Sequence, residues 1–159
     1  MEGQVTLRDA MPEDRQFLAS LYCDTRRGEV SAWGWPAEQE EAFLNMQFEA
    51  QYRSYGTAFP RACDQIVCME GNAIGRMLLS DSAEERRLID IALLAAYRNR
   101  GIGTGLLRCL LRDCEMQHCS LHLQTLQGNP AARLYERLGF VQYCADQMYM
   151  QFQWVPSGH

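Results

Sequence analysis

The chain turns a corner at residues 98–105, which read Arg-Asn-Arg-Gly-Ile-Gly-Thr-Gly. An apolar run at 88–94 precedes the corner. Leu106, Leu107, Leu110 and Leu111 follow it at helical spacing. Glycines at such a strand-to-helix turn let the backbone approach a ligand closely. The turn also aims the unpaired N–H groups of a helix N-terminus at one point, where they attract an anion. Arg98 and Arg100 strengthen that field and have the fork geometry that pairs phosphate oxygens. An ordinary strand-to-helix turn carries similar glycines, and the rest of the chain must separate the two readings. A P-loop is excluded, because no Gly-Lys-Ser/Thr follows. A dinucleotide fold would place an acidic residue about 20 positions on, where Leu121, His122 and Leu123 stand instead.

The remaining segments alternate between the two periodicities. Val5 and Leu7 alternate with Thr6 and Arg8 as a short strand. Pro12 opens a helix carrying Phe17, Leu18, Leu21, Tyr22 and Thr25, with Gly28 expected to break it. Residues 33–36 (Trp-Gly-Trp-Pro) read as a loop into a second helix, striped by Leu44, Phe48, Tyr52 and Tyr55 and ending at 56–60. Residues 64–70 and 73–80 form a hairpin about Gly71-Asn72. The run at 88–94 is expected to be a central strand buried on both faces. After the corner helix, Leu121, Leu123 and Thr125 alternate with His122 and Gln124 in another strand. Asn129-Pro130 caps a short helix with Leu134, Tyr135 and Leu138, stopped by Gly139. Residues 140–144 and 147–155 close the chain as an antiparallel pair. This order implies an α/β protein, a mixed sheet with helices on both faces.

With 159 residues, 47% hydrophobic and 22% charged, the chain has the size and composition of one domain, 1–159, with a proper core. The net charge of −5 argues against a nucleic-acid partner and mildly favours neutral or cationic small substrates. Seven cysteines form no CxxC pair, which suits reduced thiols better than a disulfide framework. Cys114 and His118 stand four apart without further ligands, so no metal is expected. No apolar run approaches the roughly 18 residues of a membrane span, and no signal-peptide core is visible. A cytoplasmic location without membrane association is therefore expected.

Three segments taken together carry a resemblance. Ile91-Ala92-Leu93, the run Arg98-Asn99-Arg100-Gly101-Ile102-Gly103, and the stretch from Asn129-Pro130-Ala131-Ala132 through Leu134-Tyr135 to Gly139-Phe140 resemble the GNAT superfamily of acetyl-CoA-dependent N-acetyltransferases. The second matches that family's Arg/Gln-x-x-Gly-x-Gly/Ala signature, and the third its Asn-x-x-Ala-x-x-Leu-Tyr-x-x-x-Gly-Phe stretch. The close match spans 88–140; before it, only element order agrees. The resemblance implies the GNAT fold, a mixed, mostly antiparallel sheet of about six or seven strands. It also implies direct transfer of an acetyl group from acetyl-CoA to a primary amine of a small molecule, peptide or protein, within a ternary complex and without a metal.

By the same resemblance, Arg98, Asn99, Arg100, Gly101, Ile102, Gly103 and Thr104 cradle the coenzyme A pyrophosphate. The main chain of Ile91, Ala92 and Leu93 pairs with the pantetheine arm and polarises the thioester carbonyl. The strands on either side of that arm are expected to splay apart. Asn129 caps its helix and also contacts the cofactor. Tyr135 is the expected general acid for the departing thiolate. Relatives place a carboxylate where this chain has Arg87 or Gln124, so the base is open between Asp90, His122, water and an acid from the first helices. The acceptor pocket is expected around Glu29, Trp33, Trp35, Tyr52 and Tyr55, with Tyr143 and Tyr149 opposite, suiting a cationic amine with an apolar body. Trp33 and Trp35 equally read as a local packing cluster. The missing carboxylates also leave room for a degenerate acyl-CoA sensor or partner subunit, and the closing strands for a homodimer.

Overall fold

The strand order places the two sequence signatures side by side. In the computed structural model, which describes residues 4–81 and 85–157, seven strands form one sheet. They are β1 (Val5–Asp9), β2 (Cys63–Met69), β3 (Asn72–Asp81), β4 (Glu85–Leu93), β5 (Ser120–Leu126), β6 (Val141–Ala145) and β7 (Tyr149–Trp154). Their order across the sheet is β1-β2-β3-β4-β5-β7-β6. Every neighbouring pair is antiparallel except β4 and β5. That pair is parallel because helix α3 (Ile102–Gln117) crosses between them, as a parallel connection requires.

Helices α1 (Arg15–Ser31) and α2 (Ala37–Ala58) cover one face. Leu18 and Phe48 meet Ile66 and Cys68 of β2 there, and Cys23, Val30 and Leu44 pack the two helices together. On the other face, Leu106, Leu107, Leu110, Leu111 and Cys114 of α3 join Leu121, Leu123 and Phe152 in the main core. Helix α4 (Ala131–Arg137) adds Tyr135 to the same core. Within β5 the alternation places Leu121, Leu123 and Thr125 inside.

Three local expectations are revised. Gly28 lies inside α1, which runs on to Ser31 before Gly34 takes a φ of 74°. Exposed glycine weakens a helix by about 1 kcal/mol relative to alanine, too little to end one held by Leu18, Leu21 and Val30. The β2–β3 turn sits one residue earlier than Gly71-Asn72: Glu70 and Gly71 both have positive φ (53° and 82°), the conformation of a two-residue hairpin turn. In β4, finally, Leu88 is buried while residues 89–93 are only half-buried. The parallel ladder explains this. It pairs Glu85 with Ser120, Arg86 with Leu121, Arg87 with His122 and Leu88 with Leu123, and then stops. Beyond Leu88 the two strands separate, and 89–93 line an opening.

Candidate active site

That opening is the mouth of a cleft of about 910 Å³. Its walls come from α1, from the end of β4, from the turn before α3 and from α4. Each wall has a local reason for its shape.

At the turn, Asn99 (φ 59°) and Gly101 (φ 81°) adopt left-handed backbone, so the chain reverses sharply into α3. The first helical bond runs from the Gly105 N–H to the Gly101 carbonyl at 3.0 Å. The N–H groups of Ile102, Gly103 and Thr104 therefore belong to the first turn, which has no carbonyls behind it. Gly103 and Gly105 are not demanded by backbone strain, since neither has positive φ. Nor does packing demand them: a Cβ on Gly103 would come no nearer than 3.9 Å to Leu93 Cδ1, and one on Gly105 would meet nothing within 4 Å. Gly101, Gly103 and Thr104 border the open cleft, so the first-turn amides have free space beside them. A pyrophosphate fits both the clearance and the donors.

Arg98 does not face that space as a free phosphate ligand. Its Nε donates to the Leu93 carbonyl (2.8 Å) and its Nη2 to Asp24 Oδ2 (3.0 Å). Asp24 Oδ2 also accepts the Ala95 N–H at 2.8 Å. The side chain thus ties the end of β4 to α1 while forming part of the cleft lining. Arg100 stacks over the Tyr97 ring and donates to the Ala96 carbonyl at 3.3 Å. Ile102 is buried in the main core and contributes its backbone alone. Across the opening, Asn129 Oδ1 accepts the Ala131 N–H (2.9 Å), opening α4, while its Nδ2 donates to Thr125 Oγ1 (2.6 Å). Tyr135 lies on α4, its ring wedged by Phe140 and Phe152, and the residue forms part of the cleft lining. Burial pushes its phenol upward, and nearby Asp90 adds to the effect.

Asp90 stands on the floor, its side chain about a third open (31%). Burial raises its carboxyl, against the pull of Arg76 and Arg26. Arg76 on β3 is itself buried and clasped by Asp64 in a bidentate pair (2.8 and 2.9 Å), with Nη1 3.9 Å from Asp90 Oδ2. Asp90 thus keeps a loosely paired carboxylate with an elevated proton affinity.

The structure therefore gathers Asp90, Ile91, Ala92, Leu93, Arg98, Asn99, Gly101, Gly103, Thr104, Asn129 and Tyr135 around one cleft. It does not bring His122 there. That residue sits in the paired part of the seam, its Nε2 3.1 Å from Ser120 Oγ and 3.7 Å from Glu85 Oε2, with its ring against Tyr143. Trp33 and Trp35 pack edge-on with Phe43 and outside the lining, as the local-cluster reading expects. Glu29 is exposed, and Tyr52 packs on Phe48 beneath Arg15. Tyr143 and Tyr149 lie on the closing strands, also off the lining. Tyr55 is different: burial and Asp90 both raise its phenol, so it belongs to the same charged cluster. Sequence reasoning missed Tyr22, Arg26, Gln51 and Arg76, which α1, α2 and β3 contribute to the cleft. Tyr22 and Arg26 do share one face of a helix by spacing, but only the tertiary fold shows that this face looks into the opening.

A family model for the acetyltransferase (GNAT) domain matches residues 62–142, just over half of the chain. The chain belongs to the GNAT acetyltransferase family. No curated protein matches the sequence. Among solved structures, the GNAT chain is similar to PaiA N-acetyltransferase from Thermoplasma acidophilum in complex with coenzyme A. The TM-score is 0.71 at 15% identity, covering 96% of this chain and 99% of that one. It is also similar to the ribosomal-protein-S18-alanine N-acetyltransferase from Escherichia coli, with a TM-score of 0.65 at 18% identity over 98% and 96% of the two chains. At these identities the likeness concerns the fold, and it supports the seven-stranded, mostly antiparallel GNAT architecture described above. Family membership supports acyltransferase chemistry with an acyl-CoA. Among the described residues no group of three or more His, Cys, Asp or Glu could hold a metal ion, and no helix is long and apolar enough to cross a membrane.

Proposed function

We propose that this protein transfers an acetyl group from acetyl-CoA to a primary amine by direct attack within a ternary complex. The observation that carries the reading is the meeting of three features in one cleft: the glycine corner, Asp90 and Tyr135. Acetyl-CoA supplies the activated thioester. The amides at 99–104 hold its pyrophosphate, and the freed edge of β4 at Ile91, Ala92 and Leu93 receives the amide-rich arm. One N–H of that edge faces the carbonyl oxygen as negative charge develops on it. Asp90 takes the proton from the attacking amine. Its raised pKa, caused by burial, makes it a better proton acceptor than an ordinary carboxylate once ionised. Tyr135 gives its proton to the sulfur as the C–S bond breaks, leaving a free thiol and an amide.

Release of free thiol from acetyl-CoA across a panel of amines and peptide N-termini tests this reading. Thermal stabilisation by coenzyme A, and not by ATP or NAD, tests the cofactor separately. Tight coenzyme A binding with no thiol release from any amine would favour the sensor reading.

A further inference from the structure

Three arginines line the cleft: Arg26, Arg76 and Arg98. Two are satisfied within the fold. Arg76 is held bidentate by Asp64, and Arg98 spans Asp24 and the Leu93 carbonyl. Among the described residues, Arg26 has no carboxylate within ion-pairing distance. Its guanidinium lies 5.1 Å from the centre of the Tyr22 ring, one helical turn earlier on α1. The ring fixes the side chain in place without neutralising it. Arg26 is half-buried, so this positive charge is kept partly out of water.

The charges around it have a definite layout. Asp90 of β4 and Arg76 of β3 line the same cleft as Arg26, Asp64 clasps Arg76, and the Arg26 charge is felt by Asp90 and by Tyr55 of α2. Asp64 and Arg76 neutralise each other. The cleft lining is therefore left with one negative group, Asp90 of β4, held only loosely by Arg76 at 3.9 Å, and one positive group, Arg26 of α1. A simple amine satisfies only the first. An amine that also carries a carboxylate satisfies both, with nitrogen on the Asp90 side and a bidentate carboxylate on the guanidinium.

Building on the acetyltransferase reading, we propose that the acceptor is an amine bearing a carboxylate, an amino acid in the broad sense, and that Arg26 receives its carboxylate. Arg26 is then a specificity-determining residue on α1, and the acidic balance of the whole chain does not describe its site.

The test uses the intact protein with acetyl-CoA and a matched set of acceptors. The set comprises the common α-amino acids, β-alanine and γ-aminobutyrate, each beside its carboxamide and its decarboxylated amine. The expected result is that at least one acid is acetylated with kcat/KM about ten- to a hundredfold above its amide, the worth of one charge-assisted pair. Arg26→Gln should remove that preference by raising KM for the acid, leaving KM for acetyl-CoA unchanged. Arg27→Gln, one residue along and exposed, should leave the preference intact. Equal or better use of amides and simple amines overturns the proposal while upholding the acetyltransferase. A rise in acetyl-CoA KM in Arg26→Gln also overturns it, assigning Arg26 to the coenzyme. So does refusal of every acid when acetyl-CoA still stabilises the fold. If coenzyme A does not bind at all, the acetyltransferase reading itself has failed.

Discussion

Tyr135 and Asp90 sit within reach of each other's charge, and burial pushes both toward their neutral forms. A neutral phenol suits a proton donor, whereas a neutral carboxyl cannot accept a proton. Tyr135→Phe should keep the ring packing on Phe140 and Phe152 and lower kcat on the order of 10²-fold with little change in acetyl-CoA KM. Steady-state kinetics with thiol detection checks it. For Asp90 the sign follows from linkage. Its folded pKa lies above the ordinary 3.8, so its contribution to stability is full below that value and is lost as pH rises through the raised pKa. At neutral pH, far above the unfolded value, burying this group costs stability. Asp90→Asn should therefore raise the neutral Tm, with the advantage shrinking as pH falls toward 4, and should remove most activity. Asp14 provides the opposite case. The Arg8 guanidinium and the Met11 N–H hold it down to about 2, so its contribution is present above 3.8 and is lost as pH falls toward 2. These residues differ in how legible they are. Tyr135 is marked by its signature and Asp90 by standing alone in an apolar strand. Arg26 and Arg76 carry no local mark, because their partners come from other elements.

At the scale of elements, the shape of the cleft depends on how closely β3 approaches β4. A Cβ on Gly75 would collide with the Ala92 carbonyl oxygen and come within 2.7 Å of Leu93 Cδ2. Gly75→Ala should cost about 1–3 kcal/mol and displace the strand end at Ala92 and Leu93 that lines the cleft. A lower Tm together with a raised acetyl-CoA KM would check it. Most elements are readable from period alone, as Leu121, Leu123 and Thr125 illustrate in β5. Apolar content misleads in β4, where 89–93 resemble buried core and instead border an opening. Burial there is decided by where the ladder with β5 stops, and pairing between distant segments leaves no trace in either one. Glycine likewise marks a helix end in one place and not another: Gly139 (φ 102°) follows α4, while Gly56 lies within α2.

For the whole molecule, β1 to β4 and β5, β7 and β6 are two sheet portions joined by four residue pairs, Glu85–Ser120 to Leu88–Leu123. Coenzyme A should slow hydrogen exchange at 90–93 and 99–104 while leaving β1 unchanged, since only the former border the cleft. Mass spectrometry of exchanged peptides reads this directly. The brevity of the join has a price in robustness. Lengthening the ladder past Leu88, toward Gln124, would bind the two portions more firmly and resist heat better. It would also fill the gap a substrate needs with the protein's own hydrogen bonds. Variants selected only for toughness should drift toward that closed form and become inert, with every reactive side chain still in place.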